Sequence, residues 1–118
     1  MSLKLTRWDG ETQRSLEALR SALMGEGWTV SEWSDPAGTV YPLHAHEYAE
    51  VRVVVSGRLR VGLPDSGDEV ILQPGDRLEI PGDLPHWADV DGDEPVIYLA
   101  GHHQEHMHRK KQVVRLNA

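Results

Sequence analysis

Residues 38–57 read GTVYPLHAHEYAEVRVVVSG. Glycines bound the stretch, and two runs rich in β-branched and aromatic residues flank a short polar centre, the composition of two strands joined by a tight turn. In extended chain successive side chains point to opposite faces, so His44, His46 and Glu50 share parity and project into one space. A third histidine, His86, lies downstream in the Gly/Pro-punctuated segment 75–90, GDRLEIPGDLPHWADV. Together the four read as a metal site.

Neutral imidazoles and one carboxylate suit a borderline divalent ion such as Mn, Fe, Co, Ni, Cu or Zn, whereas Ca or Mg would call for oxygens throughout. His44, His46 and Glu50 supply three ligands, so a fourth has to come from another strand, and His86 is the candidate. Four protein ligands around an ion that prefers six leave positions for water or substrate, the open-site condition of catalytic metals.

The remaining sequence agrees with one small domain. At 118 residues the chain encloses one modest core. The absence of cysteine removes disulfides, thiolate metal sites and thiol nucleophiles. No apolar run approaches the roughly 20 residues of a membrane span, and no basic region followed by an apolar one opens the chain, so no membrane role and a cytoplasmic location are expected. Residues 1–101 hold 18 acids and 8 bases, and residues 102–118 hold one acid and four bases. An acidic body of that kind repels phosphate backbones, which argues against nucleic acid as a partner. The basic residues Arg109, Lys110, Lys111 and Arg115 read as a solvated tail.

Asp9 is the expected cap of a helix in which Leu16, Leu19 and Leu23 recur at helical spacing, with Gly25 and Gly27 ending it. Strands are expected over 28–34, 38–45, 49–56, 58–63, 68–73, 77–80, 86–90 and 95–100. Short, closely spaced strands with turn residues between them belong to a sandwich or barrel.

The pattern of the quoted stretch resembles the cupin superfamily. Its first motif, G-x5-H-x-H-x3-E-x6-G, is met in full by Gly38, His44, His46, Glu50 and Gly57. Five fixed positions coincide by chance on the order of once in millions of windows. The second motif, G-x5-P-x-G-x2-H-x3-N, is met by Gly75, Pro81 and His86 but departs at Asp83, where the family has Gly, and at Val90, where it has Asn. The resemblance implies an all-β fold, a double-stranded β-helix or jelly-roll barrel, here with one short N-terminal helix. It places an N-terminal segment at 1–27, the barrel at 28–100 and a His-rich, basic tail at 101–118. It also implies His44, His46, Glu50 and His86 as metal ligands, and dimerisation through edge strands. A homodimer is expected, with the Trp8 segment covering or exchanging with such an edge.

Arg52 shares the parity of Glu50 and should therefore point into the barrel. A buried guanidinium needs an anion, either a substrate carboxylate or phosphate, or an internal Asp or Glu. Tyr48, Trp87 and Tyr98 are candidate walls of a substrate pocket. Tyr41 is another, although its parity is opposite to that of His44. In the tail, His102 and His106 would share a helical face, with His103 and His108 nearby, as a conceivable second metal site.

Three functions are compatible with these residues. One is a metal-dependent enzyme of dioxygenase, decarboxylase or isomerase type acting on a small anionic or oxygen-rich substrate. Another is a non-catalytic module that holds an organic acid or sugar on the metal, and the last is a barrel whose metal only staples the fold. Fold alone does not choose among them.

Overall fold

The valine-rich run at 50–56 is buried on both faces, and the remaining elements are arranged around it. The computed structural model describes residues 3–8, 10 and 14–103. In chain order these form β1 (Lys4–Thr6), α1 (Leu16–Gly25), β2 (Thr29–Asp35), β3 (Val40–His44), β4 (Glu50–Ser56), β5 (Leu59–Gly62), β6 (Glu69–Leu72), β7 (Arg77–Ile80), β8 (His86–Val90) and β9 (Val96–His102). Two antiparallel sheets result, in the orders β1-β7-β4-β9-β2 and β3-β8-β5-β6.

Alternation explains the two faces of β4. Val54 points between the sheets, where it packs with Leu78, Ile80, Val96 and Tyr98 of its own sheet and with Leu59, Val61, Leu72, Ala88 and Val90 of the other. Val51 and Val53 point outward and pack with Leu99, Trp28 and the helix residues Leu19 and Leu23. The helix thus covers the outer face of the larger sheet, as its apolar stripe requires. Glu50 and Arg52 keep the inward parity of Val54, so polar groups replace the core at one end of the barrel.

All eight expected strands form. Strand β9 continues to His102, two residues beyond the expected end, because it is paired along both edges, to β2 and β4. A ninth strand, β1, was not expected: three residues carry too little pattern to be read alone. It pairs with β7, so the N-terminal segment covers that sheet edge within its own chain. Beyond it, Arg7 and the backbone N–H of Trp8 bind the buried Asp76 carboxylate at 2.7 and 2.9 Å. Burial pushes the Asp76 carboxyl upward, but the Gln73 N–H, at 2.9 Å, together with the Trp8 and Arg7 bonds, holds it below its usual range.

The helix is capped by Ser15, not Asp9, which lies outside the described residues. Ser15 Oγ accepts from Ala18 N–H at 3.1 Å. A cap has to adjoin the first helical turn, and only Ser15 adjoins Leu16. At the other end Gly27 takes φ +97° after Glu26, the left-handed step that ends helices. Among the described residues no helix is long and apolar enough to cross a membrane.

Candidate metal centre

Strand β3, the turn after it, the start of β4 and the start of β8 bring the ligand candidates together. His44 pairs directly with His86 across β3 and β8. The ligating nitrogens of His44, His46 and His86 lie within 4.8 Å of one another. Glu50 Oε1 stands 3.3 Å from His46 Nε2 and 3.8 Å from His86 Nε2. Donors about 2.1 Å from a shared ion are themselves roughly 3.0–3.4 Å apart in octahedral or tetrahedral arrangement, a range that the His46–Glu50 pair meets.

Protonation points the same way. His44 Nδ1 lies 2.8 Å from the Pro42 carbonyl, and His86 Nδ1 lies 2.9 Å from the Leu84 carbonyl. A carbonyl only accepts, so each Nδ1 carries a proton, and in the neutral ring that leaves the Nε2 lone pair for a metal. His86 is 1% exposed, and neither its Nε2 nor Glu50 Oε1 has a hydrogen-bond partner. Buried polar atoms left unpaired cost free energy, and a bound cation would satisfy both at once. The residues fit a divalent transition metal.

Burial, above all, pushes the His86 imidazole below its ordinary pKa, with Arg52 and His44 adding to the effect. In the unfolded chain His86 titrates near about 6.5. Between that pH and its lower folded value the unfolded chain binds more protons, so stability falls as pH drops through this window and is fully present above it. Metal-free protein is therefore expected to melt at progressively lower temperature below about pH 6.5, and His86→Asn to flatten that dependence. Thermal unfolding from pH 5 to 7.5 checks it; equal slopes for parent and variant would remove His86 as the cause.

The turn before His86 shows how the departures from the family motif are accommodated. Asp83, at the family's Gly, takes φ +65°. Asp tolerates this left-handed region better than most residues. Its N–H donates to the His46 carbonyl at 2.6 Å, tying the turn to the ligand loop. Gly82 lies so close to the Glu47 carbonyl that a Cβ there would collide. Val90, in place of Asn, joins the core. A β-branched residue at φ +65° is strained, so Asp83→Val is expected to cost about 1–3 kcal/mol in denaturant unfolding, a cost Asp83→Gly avoids.

His44, His46 and Glu50 open onto a cavity of about 380 Å³, while the buried His86 is not among its lining residues. Arg52, 7% exposed, reaches its wall as parity predicts. Its Nη2 is 3.7 Å from Glu50 Oε2, beyond hydrogen-bond length, and its Nε and Nη1 have no partner. The internal acid nearest to Arg52 is thus a candidate metal ligand itself. Tyr48, stacked on His46 at 5.0 Å, and Tyr98, under Arg52 at 5.8 Å, also line the cavity. Burial raises the pKa of both phenols.

Of the two remaining aromatic candidates, only one lines the cavity. Tyr41 lines the same cavity as His44, because the register shifts between them and reverses the alternation. Trp87 does not line it: the ring lies over Gly62 on the outer face of the smaller sheet, with Arg60 above it at 5.4 Å. Its parity is opposite to that of His86, which was the available signal.

His102 is a cavity residue that the strand boundary concealed. It faces Glu50 across β4 and β9 and lies 5.3 Å from the Tyr48 ring. A strand places it there, so the helical face expected to join His102 with His106 does not form at His102. His103 stacks on Trp28 at 3.7 Å, and His106 and His108 lie outside the described residues. Asp35, buried beneath the cavity and bonded by Tyr41, was also missed, since nothing in its local sequence separates it from a turn residue.

The Cupin domain family matches residues 31–102. No curated protein sequence matches the chain. Among solved structures, it is similar to a cupin 2 domain-containing protein from Halorhodospira halophila, with TM-score 0.64 and 21% identity over 87% of this chain and 76% of that one. A DUF861 family protein from Thermotoga maritima aligns with TM-score 0.57 and 19% identity over 84% and 97%. The DMSP lyase DddQ from Ruegeria pomeroyi aligns with TM-score 0.58 and 25% identity, covering 65% of this chain, which spans 38% of that enzyme. With a family match over more than half its length and two antiparallel sheets that match cupin structures, the chain belongs to the cupin family.

Proposed function

We propose that the chain is a metal-dependent cupin enzyme acting on a small carboxylate. The observation that carries this is Arg52: a guanidinium 7% exposed, with two unpartnered nitrogens, in the wall of a cavity that also presents His44, His46 and Glu50. His44, His46, Glu50 and His86 would hold the ion. A divalent ion together with Arg52 outweighs the single charge of Glu50, so the occupied site calls for a further anion. When bound, the metal supplies Lewis-acid polarisation of a substrate oxygen.

The chain's own residues then divide the work. Arg52 binds the carboxylate, Tyr48 and His46 form a flat wall, and the half-exposed Trp33 stands at the rim. Similar folds include an oxalate decarboxylase, which aligns with TM-score 0.55 and 24% identity and of which this chain spans 21%. That likeness is one of fold, and the acid substrate proposed here rests on Arg52.

A second reading, a non-catalytic module that binds an organic acid or sugar, is favoured by one observation. Burial pushes the phenols of Tyr41, Tyr48 and Tyr98 upward, so none of them serves as a base near neutral pH. A homodimer in the cytoplasm belongs to the same proposal, with Trp33 at 46% exposure on the edge strand β2 as a dimer contact.

Small mono- and dicarboxylates are expected to bind the metal-loaded protein at least about 10-fold tighter than the metal-free protein, because chelation adds to the guanidinium contact. Calorimetric titration with manganese, ferrous iron or zinc, then with an organic-acid panel, measures this. Metal-loaded protein that binds no carboxylate sinks the proposal. Consumption of a bound acid, followed chromatographically, separates enzyme from binding module.

A further inference from the structure

On one side of Arg52 the cavity wall consists of two phenols, Tyr41 and Tyr98. Tyr41 donates its hydroxyl proton to Asp35 Oδ2 at 2.8 Å. Asp35 is 9% exposed, and an ionised carboxylate accepts hydrogen bonds but donates none. A phenol carries one proton, so with that proton committed Tyr41 turns only lone pairs toward any other neighbour. Tyr98 lines the same wall. Asp35 therefore sets the polarity of the Tyr41 hydroxyl.

The cavity presents two unlike surfaces side by side. Arg52 offers unpartnered donors at Nε and Nη1, and its guanidinium carbon lies 5.8 Å from the Tyr98 ring centroid. The Tyr41 oxygen, its proton committed to Asp35, offers only an acceptor. One small molecule spans both if a carboxylate and a hydroxyl sit on adjacent carbons. A 2-oxo acid in the same pose would bring its own lone pairs against those of Tyr41, leaving acceptors unmatched.

We propose that this pocket selects 2-hydroxy acids over the matching 2-oxo acids, with the carboxylate on Arg52 and the hydroxyl proton donated to Tyr41, which Asp35 orients. The selection rests on the carboxylate reading above and adds to it the oxidation level of the neighbouring carbon.

Calorimetry of the zinc-loaded full chain with lactate against pyruvate, and 2-hydroxyglutarate against 2-oxoglutarate, tests this, since zinc is redox-inert and the readout is binding. Each hydroxy acid is expected to bind at least about 10-fold tighter than its oxo partner. Asp35→Asn keeps the side-chain shape but can donate to Tyr41, letting that phenol reverse, so the ratio should move toward the oxo acid by about 10-fold. Tyr41→Phe removes the acceptor and should bring the two acids to within about 3-fold, and it decides the matter should Asp35→Asn fail to fold. Equal binding or an oxo preference in the parent overturns the selection while carboxylate binding stands. Ratios unchanged in both variants do the same. Absence of binding by every acid overturns the selection and the carboxylate reading together.

Discussion

His46→Ala is expected to weaken metal binding by about 100-fold or more, since loss of a direct ligand exceeds the effect of losing groups that merely support one. The site has few donors to spare: Glu50 Oε1 lies 3.3 Å from His46 Nε2, and the three imidazoles come from the rigid pairing of β3 with β8 and the turn before β4. The His46 side chain is 32% exposed, so truncation leaves the core intact and isolates the coordination effect. Competition against a chromophoric chelator measures it. Thermal unfolding gives a second readout, because metal at about 100 times its dissociation constant adds roughly 2.7 kcal/mol to a site formed only on folding. That increment should vanish in the variant. A His46→Ala protein that holds metal as tightly as the parent, at equal folding, would mean that the ion sits elsewhere.

Arg52→Leu carries the next largest effect. If the guanidinium clamps a carboxylate, its loss removes a charged hydrogen bond worth about 1.5–3 kcal/mol, a 10- to 150-fold loss of affinity for small acids, with metal content unchanged. The competing role is internal. Arg52 Nη2 faces Glu50 Oε2 at 3.7 Å, and Glu50 is 8% exposed. Were neutralising Glu50 the only task of Arg52, the substitution would strand a buried carboxylate and destabilise the metal-free protein without changing acid selectivity. Metal restores a positive partner to Glu50, so in that case the stability loss should be largely recovered on loading. Titrating both proteins with the same acid panel distinguishes the two outcomes: unchanged acid affinity in folded, metal-loaded Arg52→Leu leaves Glu50 as the sole partner of Arg52.

The parts of the site legible in the sequence are those written within a few residues of one another. His44, His46 and Glu50 share a face through spacing alone, and Arg52 follows because β4 is regular from Glu50 to Val54 and alternation carries over. The strands were legible for the same reason, as period-2 patterns between turn residues. Parity alone turned Tyr41 away from the cavity it lines, because alternation assumes an unbroken ladder and the register shift between Tyr41 and His44 breaks it. Trp87 could have been set aside from parity with His86. The pose of His86 was open at Asp83 until the +65° backbone and the bond to the His46 carbonyl appeared.

By itself, then, the sequence determined the family, the β-rich architecture with its N-terminal helix, and a ligand-bearing strand that faces inward with a buried arginine beside it. Those features depend on local spacing, which side-chain alternation converts into direction without reference to other strands. Only the tertiary structure decided which distant groups meet there. His86 joins His44 through β3 and β8, His102 meets Glu50 through β4 and β9, and Asp35 reaches Tyr41 from the end of β2. Such pairings depend on strand order and register, which are settled by burying the shared core of the two sheets, and no short stretch of sequence encodes that balance.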